Sequence, residues 1–120
     1  WLDRGIVRAG LDDLKGALAD LEQAARRAPD ALEVLRNRGR LRRLLGDVQG
    51  ALEDLGRALE LAPDDAQLRF ERAAAHEARG AWREALVDAE ALLRLRPDDP
   101  EGLGLRASAR DNLGDPRGAL

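Results

Sequence analysis

Gly46-Asp-Val-Gln-Gly-Ala-Leu-Glu-Asp-Leu-Gly-Arg-Ala-Leu-Glu-Leu-Ala-Pro63 decides the fold, because versions of this stretch stand on both sides of it at one fixed distance. Prolines fall at 29, 63 and 97, Ala-Leu pairs begin at 17, 51, 85 and 119, and aspartates stand at 20, 54 and 88, each step being 34 residues. Glycines at 46, 80 and 114 keep the step, and Asp12 occupies the place where a fourth would fall. One spacing shared by unlike residue types marks an internal repeat of a structural unit.

A chain of 120 residues that is 44% hydrophobic and 36% charged is about one domain long and has enough apolar surface to bury a core. The absence of cysteine excludes disulfides, thiolate metal sites and cysteine nucleophiles, and leaves the redox compartment open. No run is long and apolar enough to cross a bilayer, and no signal peptide opens the chain. There is no methionine, so we expect Trp1 to be a cut and the chain to be an excerpt of a longer protein. The formal charge of −3 sets 23 acidic residues against 20 basic ones, of which Lys15 is the only lysine. A nearly neutral total gives no long-range attraction to nucleic acid or anionic lipid, so we expect neither as a partner and look for any basic site locally.

Leu14, Ala17, Leu18, Leu21, Ala24 and Ala25 recur at helical spacing and predict an amphipathic helix that ends before Pro29, with residues 1–10 as the last turns of a preceding helix. Asp30 with Glu33, Asp64 with Gln67 and Asp98 with Glu101 have the spacing of a capping box, in which an acidic cap and a residue three positions later satisfy backbone donors at a helix start. They predict first helices over 31–45, 66–79 and 100–113. Gly46, Gly80 and Gly114 close these helices, since glycine takes the left-handed conformation needed past a C-terminus. Second helices follow over 48–62 and 82–96, and Asp115-Pro116 is the start signal of a third. Gly102 and Gly104 lie inside a helix, where each costs roughly 1 kcal/mol relative to alanine, so the last repeat is expected to be the least stable.

Arg4, Arg38, Arg72 and Arg106 keep the 34-residue step as well. Arg38 stands eight residues before Gly46 and Asp54 eight after it, so a hairpin folded at that glycine brings them to one height. The same arithmetic predicts the pairs Arg4 with Asp20, Arg38 with Asp54 and Arg72 with Asp88. A residue present in every unit serves the unit, and we read these pairs as structural.

A 34-residue helix-turn-helix unit with these small residues, turn glycine and terminal proline resembles the tetratricopeptide repeat. The small residue of the first helix falls at Gly5, Gly39, Ala73 and Ala107, the alanine of the second at Ala17, Ala51, Ala85 and Ala119, its later small residue at Ala24 and Ala58, and the proline at Pro29, Pro63 and Pro97. Trp1 fits the family's tryptophan. The family's aromatics are replaced by Arg8, Arg42, His76 and Arg110 in the first helices and by Leu21, Leu55 and Ala89 in the second, while Leu92 replaces a small residue. The resemblance implies an all-α, right-handed superhelical solenoid of antiparallel helix hairpins, one domain of about three and a half repeats: 1–31 in part, 32–65, 66–99 and 100–120 in part.

Catalysis has few tools here. A nucleophile needs a Ser, Thr, Cys or Lys beside a base, yet threonine, cysteine and tyrosine are absent, Ser108 is the sole hydroxyl and His76 the sole histidine. His76 fills the slot of a family aromatic, and we read it as a packing residue. Asp64-Asp65 and Asp98-Asp99 lie in inter-repeat turns, where capping accounts for them better than a divalent metal, which would need a clustered oxygen cage. Gly102-Leu-Gly104-Leu-Arg-Ala107 matches a dinucleotide fingerprint in letters, but it follows no strand. We expect no cofactor and no enzymatic activity.

Residues 32–45 stand out, with Arg36, Arg38, Arg40, Arg42 and Arg43 against Glu33 alone. Arg36, Arg40 and Arg43 share one helical stripe. By the resemblance, first helices line a concave groove, where Asn37 stands beside this stripe and Phe70, Glu71, Ala74 and Glu77 present the matching stripe of the next first helix. Two readings follow. The arginines pair across the groove with Glu71 and Glu77, or they hold the carboxylates of an acidic peptide by charge-assisted hydrogen bonds while Phe70 supplies an apolar contact. A subgroup of the family clamps chaperone tails with lysine, asparagine and arginine; here Asn37 matches one slot, but Leu2, Ile6, Gln67 and Glu71 fill the others, so we expect no such clamp. The expected function is a non-catalytic scaffold that binds a peptide or helix of a partner protein. The alternatives are self-association through an uncapped repeat end and a regulatory repeat domain of a larger protein.

Overall fold

The computed structural model describes residues 2–114, with side chains from residue 13 onward. These residues form six helices and no strand: α1 (Leu2–Arg27), α2 (Leu32–Leu44), α3 (Val48–Leu61), α4 (Ala66–Ala78), α5 (Trp82–Leu95) and α6 (Pro100–Asn112). From α2 onward the helices agree with the periodicity to within a residue or two. The hairpin turns pass through Gly46 at φ 93° and Gly80 at φ 74°, and Gly114 follows α6 at φ 74°. Only glycine enters that region without steric cost.

The first repeat departs from expectation. α1 runs unbroken for 26 residues through the place where a turn was due. That turn needs a left-handed residue, and the chain offers Asp12 instead of glycine, so the helical hydrogen-bond ladder continues. The helix starts are also corrected. The caps are Ala31, Asp65 and Asp99, one residue after the expected Asp30, Asp64 and Asp98. Asp65 accepts from the Leu68 N–H at 3.1 Å and Asp99 from the Gly102 N–H at 2.9 Å, whereas Ala31 has no side chain able to do so. Asp30, left outside the helix, pairs with Arg57 of α3.

Small residues set how closely the helices approach. A Cβ at Gly39 would stand 2.9 Å from Leu55 Cδ2, and one at Gly102 2.9 Å from Leu93 Cδ2, so both glycines are places where a leucine of the neighbouring helix enters. Leu35, Leu55, Leu59 and Leu68 are buried around Ala51, Ala58 and Ala75. Ala73, Ala89 and Leu105 continue the core into the last hairpin.

Each helix packs on the next, and α2, α4 and α6 also touch in sequence, while among the described residues α1, α3 and α5 do not touch one another. The even-numbered helices therefore line the inner side of the stack and the odd-numbered ones its outer side. The radius of gyration is 16.0 Å, against about 14 Å for a compact globule of this length. The hairpins stack in single file, each on the next, rather than around a common centre. The expected roles of Trp1, Asp115-Pro116 and Ala119, the side chains of Arg4 and Arg8, and the packing against Gly5 lie outside the described residues.

Candidate binding groove

α2 is fixed from behind by Leu35, which is 1% exposed, and by the close approach of Leu55 to Gly39. Arg36 and Arg43, which share a stripe of α2 with Arg40, reach across to the inner helix α4. Arg43 crosses to α4, donating from Nε and Nη2 to Oε1 of Glu71 at 3.0 and 2.8 Å. Gln67 donates from Nε2 to the other oxygen, Oε2, at 2.8 Å. Glu71 is 3% exposed, so this carboxylate is a buried and fully bonded part of the groove wall. Arg36 also crosses to α4, but its acceptor is the cap Asp65, with Glu33 3.5 Å away on its own helix. The hydrogen bond to Arg36 holds the Asp65 carboxyl below the usual carboxylate range.

The expected partner Glu77 takes no part: it is half-buried, and among the described residues it forms no ion pair. Arg40 is exposed and likewise without an ion pair or hydrogen bond among the described residues. Phe70 packs on Ala73, Ala89 and Leu105, so much of its ring belongs to the core, and Ala74 is half-buried beside it. Asn37 is half-buried. Asp65 as the acceptor of Arg36 was not anticipated, nor was the bond from Gln67, which the sequence placed at a clamp slot, to Glu71; the four-residue step from Gln67 to Glu71 was the available signal.

The predicted intra-hairpin pairs are present. Arg38 donates from Nε and Nη2 to Asp54 at 2.9 and 2.7 Å, and Arg72 does the same to Asp88 at 2.8 and 2.8 Å. Each aspartate receives a second guanidinium, from Arg42 at 3.1 Å and Arg69 at 3.2 Å, which the spacing did not reveal. The Arg4–Asp20 pair rests on a side chain outside the described residues. No group of three His, Asp or Glu able to hold a metal occurs among the described residues, and no described helix is long and apolar enough to cross a membrane.

The family profile described as Tetratricopeptide repeat matches residues 2–66 and again 45–100. The chain belongs to the tetratricopeptide repeat family. Solved tetratricopeptide structures superpose along nearly its whole length. The Arabidopsis OM64 TPR domain does so with a TM-score of 0.78 at 18% identity, covering 91% of this chain and 90% of that one. The first TPR of Spaghetti (RPAP3), bound to the HSP90 peptide SRMEEVD, gives 0.80 at 21%, covering 92% and 88%. MamA MSR-1 C2 gives 0.80 at 23%, covering 90% of this chain and 61% of that one. Identities this low show the fold. Among curated proteins no sequence match was found. The TPR frame explains why Gly39 and Ala73 are buried at the hairpin contact: they hold the family's small-residue position on the first helix.

Proposed function

We propose that this TPR chain is a non-catalytic scaffold that takes a short acidic peptide or helix of a partner protein into the groove lined by α2, α4 and α6. The observation that carries the reading is the state of Arg40. Arg36 and Arg43 are tied to Asp65 and Glu71, and Arg40 between them is exposed, with no ion pair or hydrogen bond among the described residues. A guanidinium held on a rigid helix binds a carboxylate bidentately with little ordering cost. Asn37 adds amide hydrogen bonds one turn away, Phe70 and Ala74 offer apolar contact, and Glu77 excludes an acidic residue from its end of the groove. Three of the seven residues of the peptide on the Spaghetti TPR are acidic, which is in keeping with an acidic ligand. Two slots of the chaperone-tail clamp hold Gln67 and the buried Glu71, so the expected ligand is an acidic segment other than such a tail.

A peptide array probed with the wild type and with Arg40→Glu tests the reading. Acidic peptides that bind the wild type should be lost by the variant, and an unchanged pattern overturns the site. Self-association is the second reading, because Leu103 and Leu113 on the last hairpin are 41% and 39% exposed. Light scattering across concentration separates the two, since a constant monomer mass counts against assembly.

A further inference from the structure

The junctions between hairpins carry a second recurring ion pair. Glu22 on α1 lies 3.7 Å from Nη2 of Arg42 on α2, and Glu90 on α5 lies 3.7 Å from Nη2 of Arg110 on α6. Each pair spans 20 residues, 22 to 42 and 90 to 110, and joins an outer helix to the next inner one. The junction between them, from α3 to α4, has the same two places at 56 and 76 and fills them with Gly56 and His76. There the carboxylate and its guanidinium are both missing.

What surrounds that gap is short of an acceptor. A Cβ built on Gly56 meets only Nη1 of Arg72, at 4.0 Å, so space stands open above the glycine. Arg72 spends Nε and Nη2 on Asp88, and its Nη1 forms no hydrogen bond among the described residues. His76 turns Nε2 toward Asp88 Oδ2 at 3.9 Å, and its Nδ1 is buried without a partner among the described residues. One repeat earlier, Arg38 binds Asp54 in the same way and is further stabilised by the charge of Glu22, the residue whose counterpart is Gly56.

We propose that the gap over Gly56 is a binding site for an external carboxylate, seated where a glutamate side chain stands at the flanking junctions and held by Nη1 of Arg72 with His76 alongside. Gly56 is half-buried and the Arg72 side chain is 26% exposed, so the site is reached from solvent. A guanidinium N–H donates to the carboxylate of a small organic acid or of an acidic side chain on a partner, and the two sources present the same chemistry.

The test is an NMR titration of the Arg72 Nε–H and the His76 ring with acetate, against chloride at equal ionic strength. In the wild type and in Gly56→Ala, acetate should shift both signals saturably and chloride should not. Gly56→Glu, which supplies the carboxylate from the chain itself, should start at the shifted position and ignore acetate. A second arm uses a blocked tripeptide Ala-Glu-Ala and its Ala-Gln-Ala control: tighter binding of the glutamate peptide than of acetate identifies a partner's side chain, and equal binding identifies a small acid. An acetate response that is matched by chloride, or that persists in Gly56→Glu, overturns the site.

Discussion

Nη2 of Arg43 and Oε1 of Glu71 lie 2.8 Å apart across the junction of two repeats, although 28 residues separate them in the chain. The pair ties α2 to α4 on the inner side, where the first helices of consecutive repeats meet directly. Removing Arg43 leaves a buried carboxylate whose only remaining side-chain donor among the described residues is Gln67. We expect Arg43→Met to destabilise the fold by about 3 kcal/mol, while Arg40→Ala, on the same stripe but exposed and without a partner among the described residues, stays within about 0.5 kcal/mol of the wild type. Urea unfolding of the two variants checks the contrast.

His76 supplies a pH dependence of defined sign. Burial pushes its pKa below the ordinary 6.5, against the favourable charge of Asp88, while Arg72 and Arg79 push the same way as burial and Glu84 opposes them. The unfolded chain therefore takes up the proton more readily than the folded one. The contribution of neutral His76 is fully present above about pH 6.5 and is lost as the pH falls below it toward the depressed value. Melting temperatures followed from pH 7.5 to 5 should fall in the wild type, and His76→Phe, which restores an aromatic to the slot, should flatten that part of the profile.

Ala31 heads α2 with extended backbone angles, φ −71° and ψ 117°, and no side-chain acceptor, whereas Asp65 and Asp99 do the same task with a carboxylate. Ala31→Asp should stabilise the protein by about 1 kcal/mol through a hydrogen bond to the N–H three residues on. Thermal unfolding measures it, and Asp30→Ala, outside the helix, should not reproduce the effect.

Two glycines inside helices respond to alanine with opposite signs. At Gly104 a Cβ meets nothing within 4 Å, so Gly104→Ala gains helix propensity of about 1 kcal/mol. At Gly39 the Cβ would sit 2.9 Å from both Cδ2 and Cγ of Leu55. There overpacking outweighs propensity, and Gly39→Ala should lose about 1–2 kcal/mol in a denaturant titration.

The sequence by itself determined the repeat length, the helix boundaries from α2 onward and the turn glycines. It also determined the Arg38–Asp54 and Arg72–Asp88 pairs, because all of these depend on counting residues from one turn. An antiparallel hairpin folded at a fixed glycine leaves no freedom in which residues face one another. The tertiary structure decided the rest. It placed the caps one residue later, because the cap is set by where the chain leaves the preceding turn rather than by the first acidic residue after proline. It made one long helix of the first repeat, since a missing glycine shows in the letters but its effect on the ladder does not. It also sorted the arginine stripe, giving Arg43 to Glu71 and Arg36 to Asp65 and leaving Arg40 exposed without a partner among the described residues. Partners across a junction depend on how one hairpin leans on the next and how far a flexible side chain reaches, and neither quantity is written in the spacing of residues along the chain.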